Sequence, residues 1–248
     1  MAARDTSSTF AKGLRLLECI AEGGGDPTMA ELARRTGLDR AATRRLCLTL
    51  EAGGYLRRDG KALRLAPRVL ALAGGYLARE GIGRSIQPVL NHYAQELRSE
   101  IALALRDGTR AIYVARSSVG EARLSHGFSV GSTLPLLPTA VGRMLLAGLA
   151  PGPRAALIAQ CPLWAHTPAT LRDRAEIAAR VEAAAAQGFA HAAEEFETGA
   201  AGLAVPAREL SGTRTVLATT DAVNRLSSPA QIDRALDVLR QAAIALRG

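Results

Sequence analysis

Residues 36–58 read TGLDRAATRRLCLTLEAGGYLRR, and the first four of them decide the fold of this part of the chain. Gly37 closes a preceding amphipathic run, DPTMAELARRTG, in which Thr28 and Glu31 have capping-box spacing and Leu32 faces inward. Asp39 then supplies an N-cap for RAATRRLCLTLEAGG, whose buried side carries Leu46, Leu50 and either Thr43 or Ala42, with Gly53-Gly54 as the stop. The two helices are therefore joined by a tight turn of about three to four residues. That is helix-turn-helix spacing, in which the second helix lies in the major groove and presents its N-terminal part to the bases.

Working outward, FAKGLRLLECIAEG predicts a core helix with Phe10, Leu14, Leu17 and Ile20 at helical spacing and a glycine stop. On the other side, YLRRDGKALRLAP offers two short strands about Asp59-Gly60, a hairpin dipeptide, so the helix-turn-helix carries a wing. Arg57, Arg58, Lys61 and Arg64 sit on or beside that wing, within reach of phosphates or a minor groove. From Pro67 the pattern PRVLALAGGYLAREGIGRSIQPVL predicts a linker helix broken at Gly74-Gly75 and a hinge at Gly81 and Gly83. The remainder mixes strands and helices. HYAQELRSEIALAL passes from helix to strand, ALRDGTRAIYVARS turns at Asp107-Gly108, and EARLSHGFSVG is strand-like. Helices TAVGRMLLAGLA and LRDRAEIAARVEAAAAQG follow, then strands FAHAAEEF, AGLAVPARE and TVLATTDAV, and a last helix capped by Ser228, Pro229 and Gln231. The expected organisation is a DNA-binding unit over 1–66, a linker over 67–83 and one α+β domain over 84–248.

Composition narrows the function classes. The 248 residues are 48% hydrophobic and 22% charged, a globular balance. No run of about 18 apolar residues occurs and MAARDTSSTFAKG lacks a signal-peptide core, so a cytoplasmic protein with no membrane partner is expected. Cys19, Cys47 and Cys161 show no CxxC spacing and read as small buried hydrophobes. The net charge is +8, and residues 34–68 hold ten basic against three acidic residues, a concentration that favours an anionic partner, nucleic acid or a membrane surface. His92, His126, His166 and His191 have no metal-ligand spacing, and Gly81 and Gly83 lack the third glycine of a dinucleotide loop. Glu194, Glu195 and Glu197 cluster, but read as strand residues Glu194 and Glu195 point to opposite faces and cannot converge on one substrate. No enzyme activity, cofactor or metal is expected.

With wing and second domain in view, the whole chain resembles the IclR family of bacterial transcriptional regulators. The resemblance is carried by AKGLRLLECI, MAELARRTGLDRAATRRLCLTLEAGGYL, RLAPRVLALAGGYL, IYVARS, VGSTLPLLPTAVGRMLLA and EEFETGAAGLAVPAR. Within the family, YVARS and VGSTLP look most like the branch of aromatic-acid regulators that answer to protocatechuate and 4-hydroxybenzoate. It implies an N-terminal winged helix-turn-helix, a linker helix and a C-terminal GAF-like effector-binding domain. It further implies palindromic promoter DNA as partner, a dimer or dimer of dimers, and a small organic acid as effector.

For DNA contact, Arg40, Ala41, Thr43, Arg44 and Arg45 are the recognition-helix candidates: Arg grips guanine with two hydrogen bonds, Thr reaches a base or phosphate, and Ala touches a thymine methyl. Arg34, Arg35, Arg58 and Lys61 are candidates for phosphate. The resemblance, carried over by position, implies an effector pocket at His126, Phe128, Ala140, Val141, Ala192, Ala200, Gly202, Thr219 and Asp221, with a carboxylate on backbone amides where TAVGRMLLA begins. Many members carry an acidic residue before EE and GLR further on. Here Ala192-Ala193 and Gly199-Ala200-Ala201 stand instead, which implies a roomier, more apolar pocket suited to an aromatic or alkyl acid. The competing reading is a small-molecule enzyme or sensor whose basic N-terminal part serves dimerisation only.

Overall fold

The computed structural model describes residues 6–23, 25–119 and 128–247, which fall into two compact units meeting between Tyr76 and Leu77. The strand-like stretch 121–127, with His126, lies outside the described residues.

The first unit holds α1 (Ser8–Ala21), α2 (Met29–Thr36), α3 (Arg40–Ala52) and the antiparallel hairpin β1 (Leu56–Asp59) and β2 (Ala62–Leu65). Local chemistry sets its boundaries. Thr28 and Glu31 form the reciprocal capping box, Gly37 turns the chain at φ 69°, and the Asp39 carboxylate accepts from Ala42 N at 2.7 Å. The core is Leu16, Cys19, Ile20, Leu32, Cys47, Leu56 and Leu63. Leu63 N donates to Pro27 O at 2.9 Å, so the wing is tied to the chain entering α2. The buried face of α1 differs from the sequence expectation: Phe10 is 67% and Leu14 44% exposed, while Gly13 and Leu16 are buried. Gly13 faces α3, where Leu46 lies 3.7 Å from where a Gly13 Cβ would stand, an ordinary packing distance.

Helix α4 (Arg68–Arg79) runs unbroken through Gly74-Gly75, correcting the predicted break. The chain turns instead at Gly81, φ 69°, and continues as one π-helical turn, Ile82–Ile86. In the second unit α5 (Gln87–Leu97) leads to the antiparallel hairpin β3 (Ile101–Asp107) and β4 (Arg110–Ser117), then β5 (Thr133–Pro135). Next come α6 (Ala140–Ala147), α7 (Pro151–Gln160), which the sequence reading missed, and α8 (Arg174–Gln187). Strands β6 (Ala190–Ala193), β7 (Ala200–Leu210) and β8 (Thr213–Ala222) and the capped α9 (Pro229–Ala245) complete it. The six strands form one antiparallel sheet, ordered β5-β4-β3-β8-β7-β6.

Strand alternation gives the sheet two unlike faces. Ala102, Ala104, Ala204 and Ala218 face α6 and α8, whereas Ile101, Leu103, Leu105, Leu203 and Leu217 face α5 and α9. Small residues under α6 let that helix sit close to the sheet, and at one end the space between them opens into a cavity. Phe128 precedes β5 in irregular backbone rather than lying on a strand.

Candidate nucleic-acid interface and ligand cavity

Contacts separate the ten basic residues of 34–68 into two groups. Arg35 donates to Cys19 O at 2.8 Å and Gly23 O at 3.3 Å, closing the end of α1. Arg58 grips Glu51 of α3 at 2.9 Å, Arg64 bridges Asp26 at 2.6 Å and Asp59 at 3.1 Å, and Arg68 donates to Gly53 O at 2.8 Å. The others, Arg34, Arg40, Arg44, Arg45, Arg57 and Lys61, make no ion pair or hydrogen bond among the described residues, and all are exposed. Strand register explains the wing. Arg58 shares a face with Leu56 and Leu63 and turns back to α3, while Arg57 and its cross-strand neighbour Arg64 point away.

Two of the sequence candidates have contacts of their own within the unit. Arg35 and Arg58 have their guanidinium groups engaged within the unit, and Arg57 and Lys61 present charges on the wing that are unpaired among the described residues. Thr43 is more deeply placed: it is 1% exposed and its hydroxyl donates to Asp39 O at 2.9 Å, because its position on α3 faces the core beside Cys47. Arg40, Ala41, Arg44 and Arg45 remain together on the open side of α3.

The second unit contains a cavity of about 340 Å³ at the N-terminus of α6. Of the positions implied for an effector, Phe128, Ala140, Val141, Ala192, Ala200, Gly202, Thr219 and Asp221 all border it. Register refines this. A Gly202 Cβ would stand 3.5 Å from Ala140 Cβ and 3.8 Å from the Thr220 hydroxyl, so Gly202 and its partner Thr220 face α6. Thr219 and Asp221 pair with Leu203 and Ala201, which face α5 and α9, so by alternation their side chains belong to the opposite face. Asp221 is moreover engaged with Arg225 at 3.3 Å and with Ala222 N at 2.8 Å. Thr220 is the β8 side chain that the sequence reading missed.

Tyr113 and Phe196 were missed too, and Glu197, read only as part of an acidic cluster, also borders the cavity. Tyr113, Phe128 and Phe196 form an aromatic wall, with ring centroids 6.1 Å and 6.3 Å apart in sequence. Burial, reinforced by the Glu100 carboxylate, pushes the Tyr113 pKa well up, so its hydroxyl stays protonated beside Thr220. Arg116 holds this corner by bonding both the Glu100 carboxylate and the Phe128 carbonyl.

At the other corner Thr139 caps α6, accepting from Gly142 N at 3.0 Å and donating to Pro135 O at 2.7 Å. The amides of Ala140 and Val141 are first-turn donors without helical partners, and they stand at the cavity edge where a helix N-terminus favours an anion. Gly142 makes this geometry possible: a Cβ there would lie 2.2 Å from Leu136 Cα and O.

The Glu194–Glu197 stretch is a bend, not the continuing strand that the sequence reading assumed, since β6 ends at Ala193 and Glu194 has φ 59°. All three residues consequently border the cavity. Glu195 and Glu194 tie the bend to its surroundings. Glu195 is held by the 2% exposed Arg143 at 2.7 Å, and Glu194 accepts from Gly199 N at 3.0 Å. Arg143 also donates to Leu137 O at 2.9 Å, while Thr170 donates to Glu195 O at 2.6 Å, so α6, its entry loop and the bend are locked together. Among the described residues no group of three or more His, Cys, Asp or Glu could hold a metal ion, and no helix is long and apolar enough to cross a membrane.

Comparison with known proteins agrees with both units. The model of the IclR helix-turn-helix domain matches residues 9–60, and that of the bacterial transcriptional regulator IclR C-terminal domain matches residues 74–247. The chain is 32% identical over 208 residues to the Pca regulon regulatory protein of Pseudomonas putida, covering 84% of this chain and 72% of that protein. It is 30% identical over 248 residues to the p-hydroxybenzoate hydroxylase transcriptional activator of Acinetobacter baylyi, covering 98% and 92%. A crystal structure of an IclR homologue from Microbacterium hydrocarbonoxydans complexed with 4-hydroxybenzoate superposes with a TM-score of 0.78 at 26% identity, covering 96% and 97%.

Proposed function

The chain belongs to the IclR family of bacterial transcriptional regulators, and on that premise we propose that it controls genes of aromatic-compound breakdown in response to a small aromatic carboxylic acid. Like its relatives it is a regulator and not an enzyme. The observation that carries the ligand class is the cavity: an anion-favouring helix N-terminus at one corner, a wall of three aromatic rings and a protonated Tyr113 hydroxyl. A carboxylate suits the Ala140 and Val141 amides, a ring suits Phe128 and Phe196, and a ring hydroxyl suits the Tyr113 and Thr220 corner. The similar structure holding 4-hydroxybenzoate supports the same class.

DNA is engaged through Arg40, Ala41, Arg44 and Arg45 on bases and through Arg34, Arg57 and Lys61 on phosphates. Two copies of α3 read a palindromic site, and effector binding alters their spacing through α4. The test is fluorescence anisotropy on duplex from upstream of the protein's own gene, with 4-hydroxybenzoate and protocatechuate added. Arg44→Ala with Arg45→Ala removes two base contacts of about 1–3 kcal/mol each and lowers affinity at least tenfold. Undiminished affinity in that double variant, or a thermal stability that no aromatic acid shifts, overturns the corresponding half of the reading.

A further inference from the structure

One exposed side chain on α3 lies outside the buried cluster of its unit and has no part in the reading above. Leu48 is 40% exposed, on a helix whose apolar contacts are otherwise made by Leu46, Cys47 and Leu50. Its direction is defined by helix geometry. At about 100° per residue, Leu48 lies within about 20° of Ala41, with Arg44 about 60° to one side of Ala41 and Arg45 about 40° to the other. Thr43, Cys47 and Leu50 occupy the opposite side and are buried or half-buried. Ala41, Arg44, Arg45 and Leu48 thus have the i, i+3, i+4, i+7 spacing of a single face, the face a helix lying in the major groove turns to base edges over two turns.

That face has an apolar centre line, Ala41 and Leu48, flanked by two arginines that make no ion pair among the described residues. Charge complementarity identifies what covers it. A protein surface covering Leu48 would also have to neutralise Arg44 and Arg45, whereas a DNA groove brings phosphates and guanine acceptors to the arginines and thymine methyls to the apolar line. We propose that Leu48, together with Ala41, forms an apolar stripe that reads the 5-methyl groups of thymines, making Leu48 a specificity-determining residue of the operator half-site. The seven-residue separation along α3 is about 10 Å, or about three base-pair steps, so the methyls recognised by Ala41 and Leu48 lie two to four base pairs apart, in roughly that range. Arg44 and Arg45 then fix the neighbouring guanines. The inference rests on the DNA-binding reading above.

The experiment uses the full-length protein and a duplex selected from a random library. Each thymine of the half-site is replaced in turn by deoxyuridine, which removes the methyl and leaves pairing and charge unchanged. Affinity is measured at fixed salt for the unaltered protein and for Leu48→Ala. Removing a contacted methyl is expected to cost about fourfold. Leu48→Ala should abolish that sensitivity at one thymine, retain it at the thymine facing Ala41, and leave the salt dependence unchanged. Insensitivity of the unaltered protein to every thymine replacement overturns the proposal, as does a Leu48→Ala variant that keeps all the sensitivities or that loses affinity equally on thymine and uracil duplexes. If selection yields no preferred duplex, the DNA-binding reading itself falls, an outcome distinct from these.

Discussion

Arg57 and Arg58 are adjacent, chemically identical and both exposed, yet the wing gives them opposite circumstances. The hairpin's period of two sends Arg58 to the Glu51 carboxylate and leaves Arg57 facing outward without a partner among the described residues. A phosphate contact releases counterions, whereas a charge already paired to Glu51 makes none. Arg57→Ala is therefore expected to weaken binding about equally on all DNA sequences and to lower the salt slope of the affinity by about one. Arg58→Ala should leave the slope in place and cost less than about 1 kcal/mol of stability, the usual worth of an exposed pair. Salt titrations of both variants on one duplex check the contrast, and equal slopes would refute it. The sequence showed the concentration of arginine but not this division, because the partners Asp26, Glu51 and the Cys19 carbonyl come from other elements.

Elements were legible where their determinants lie within one turn. The Thr28–Glu31 and Ser228–Gln231 capping boxes, the Asp39 N-cap and the hairpins at Gly60 and Gly108 depend on residues at most three apart, and they form as read. Elements that depend on a distant neighbour were not. The buried face of α1 is the one that packs Gly13 against Leu46 of α3, and β6 ends at a bend anchored by Arg143. The cavity was legible as a set of positions, but the strand twist and that bend decide which side chains enter it, so Thr220 and Phe196 escaped notice and Glu197 was read only as part of an acidic cluster. Helix α6 is the extreme case, since its contact with the 135–138 loop leaves no room for a methyl group at Gly142. Gly142→Ala forces backbone apart and should destabilise by about 3 kcal/mol or more, as severe overpacking does. Gly152→Ala is the matched control. Nothing lies within 4 Å of its Cβ position in α7, so helix propensity alone should leave stability unchanged or raise it by up to about 1 kcal/mol. Denaturant titration distinguishes the two, and a neutral Gly142→Ala would show that the loop can yield.

At the scale of the molecule, each unit has its own core, and the recognition face and the ligand cavity lie in different units. Neither site shares a side chain with the other, so any influence of effector on DNA is a coupling free energy carried through the chain or through pairing of copies. Such coupling is reciprocal: if an aromatic acid changes DNA affinity by some factor, DNA must change the affinity for that acid by the same factor. The continuous α4, running through Gly74-Gly75 rather than breaking there, gives the chain a helical connection across the boundary at Tyr76. A fragment of residues 67–248 retains α4 and every described residue that borders the cavity. It should bind 4-hydroxybenzoate with the affinity of the full-length protein free of DNA, because no ligand contact is lost. Adding operator to the full-length protein should then move its affinity for the acid by the reciprocal factor, and adding the same duplex to the fragment should not. Isothermal titration in both orders closes the cycle. A fragment that loses the acid would place part of the cavity's support in the first unit, and an acid affinity that operator leaves unmoved would mean that the two sites are not coupled.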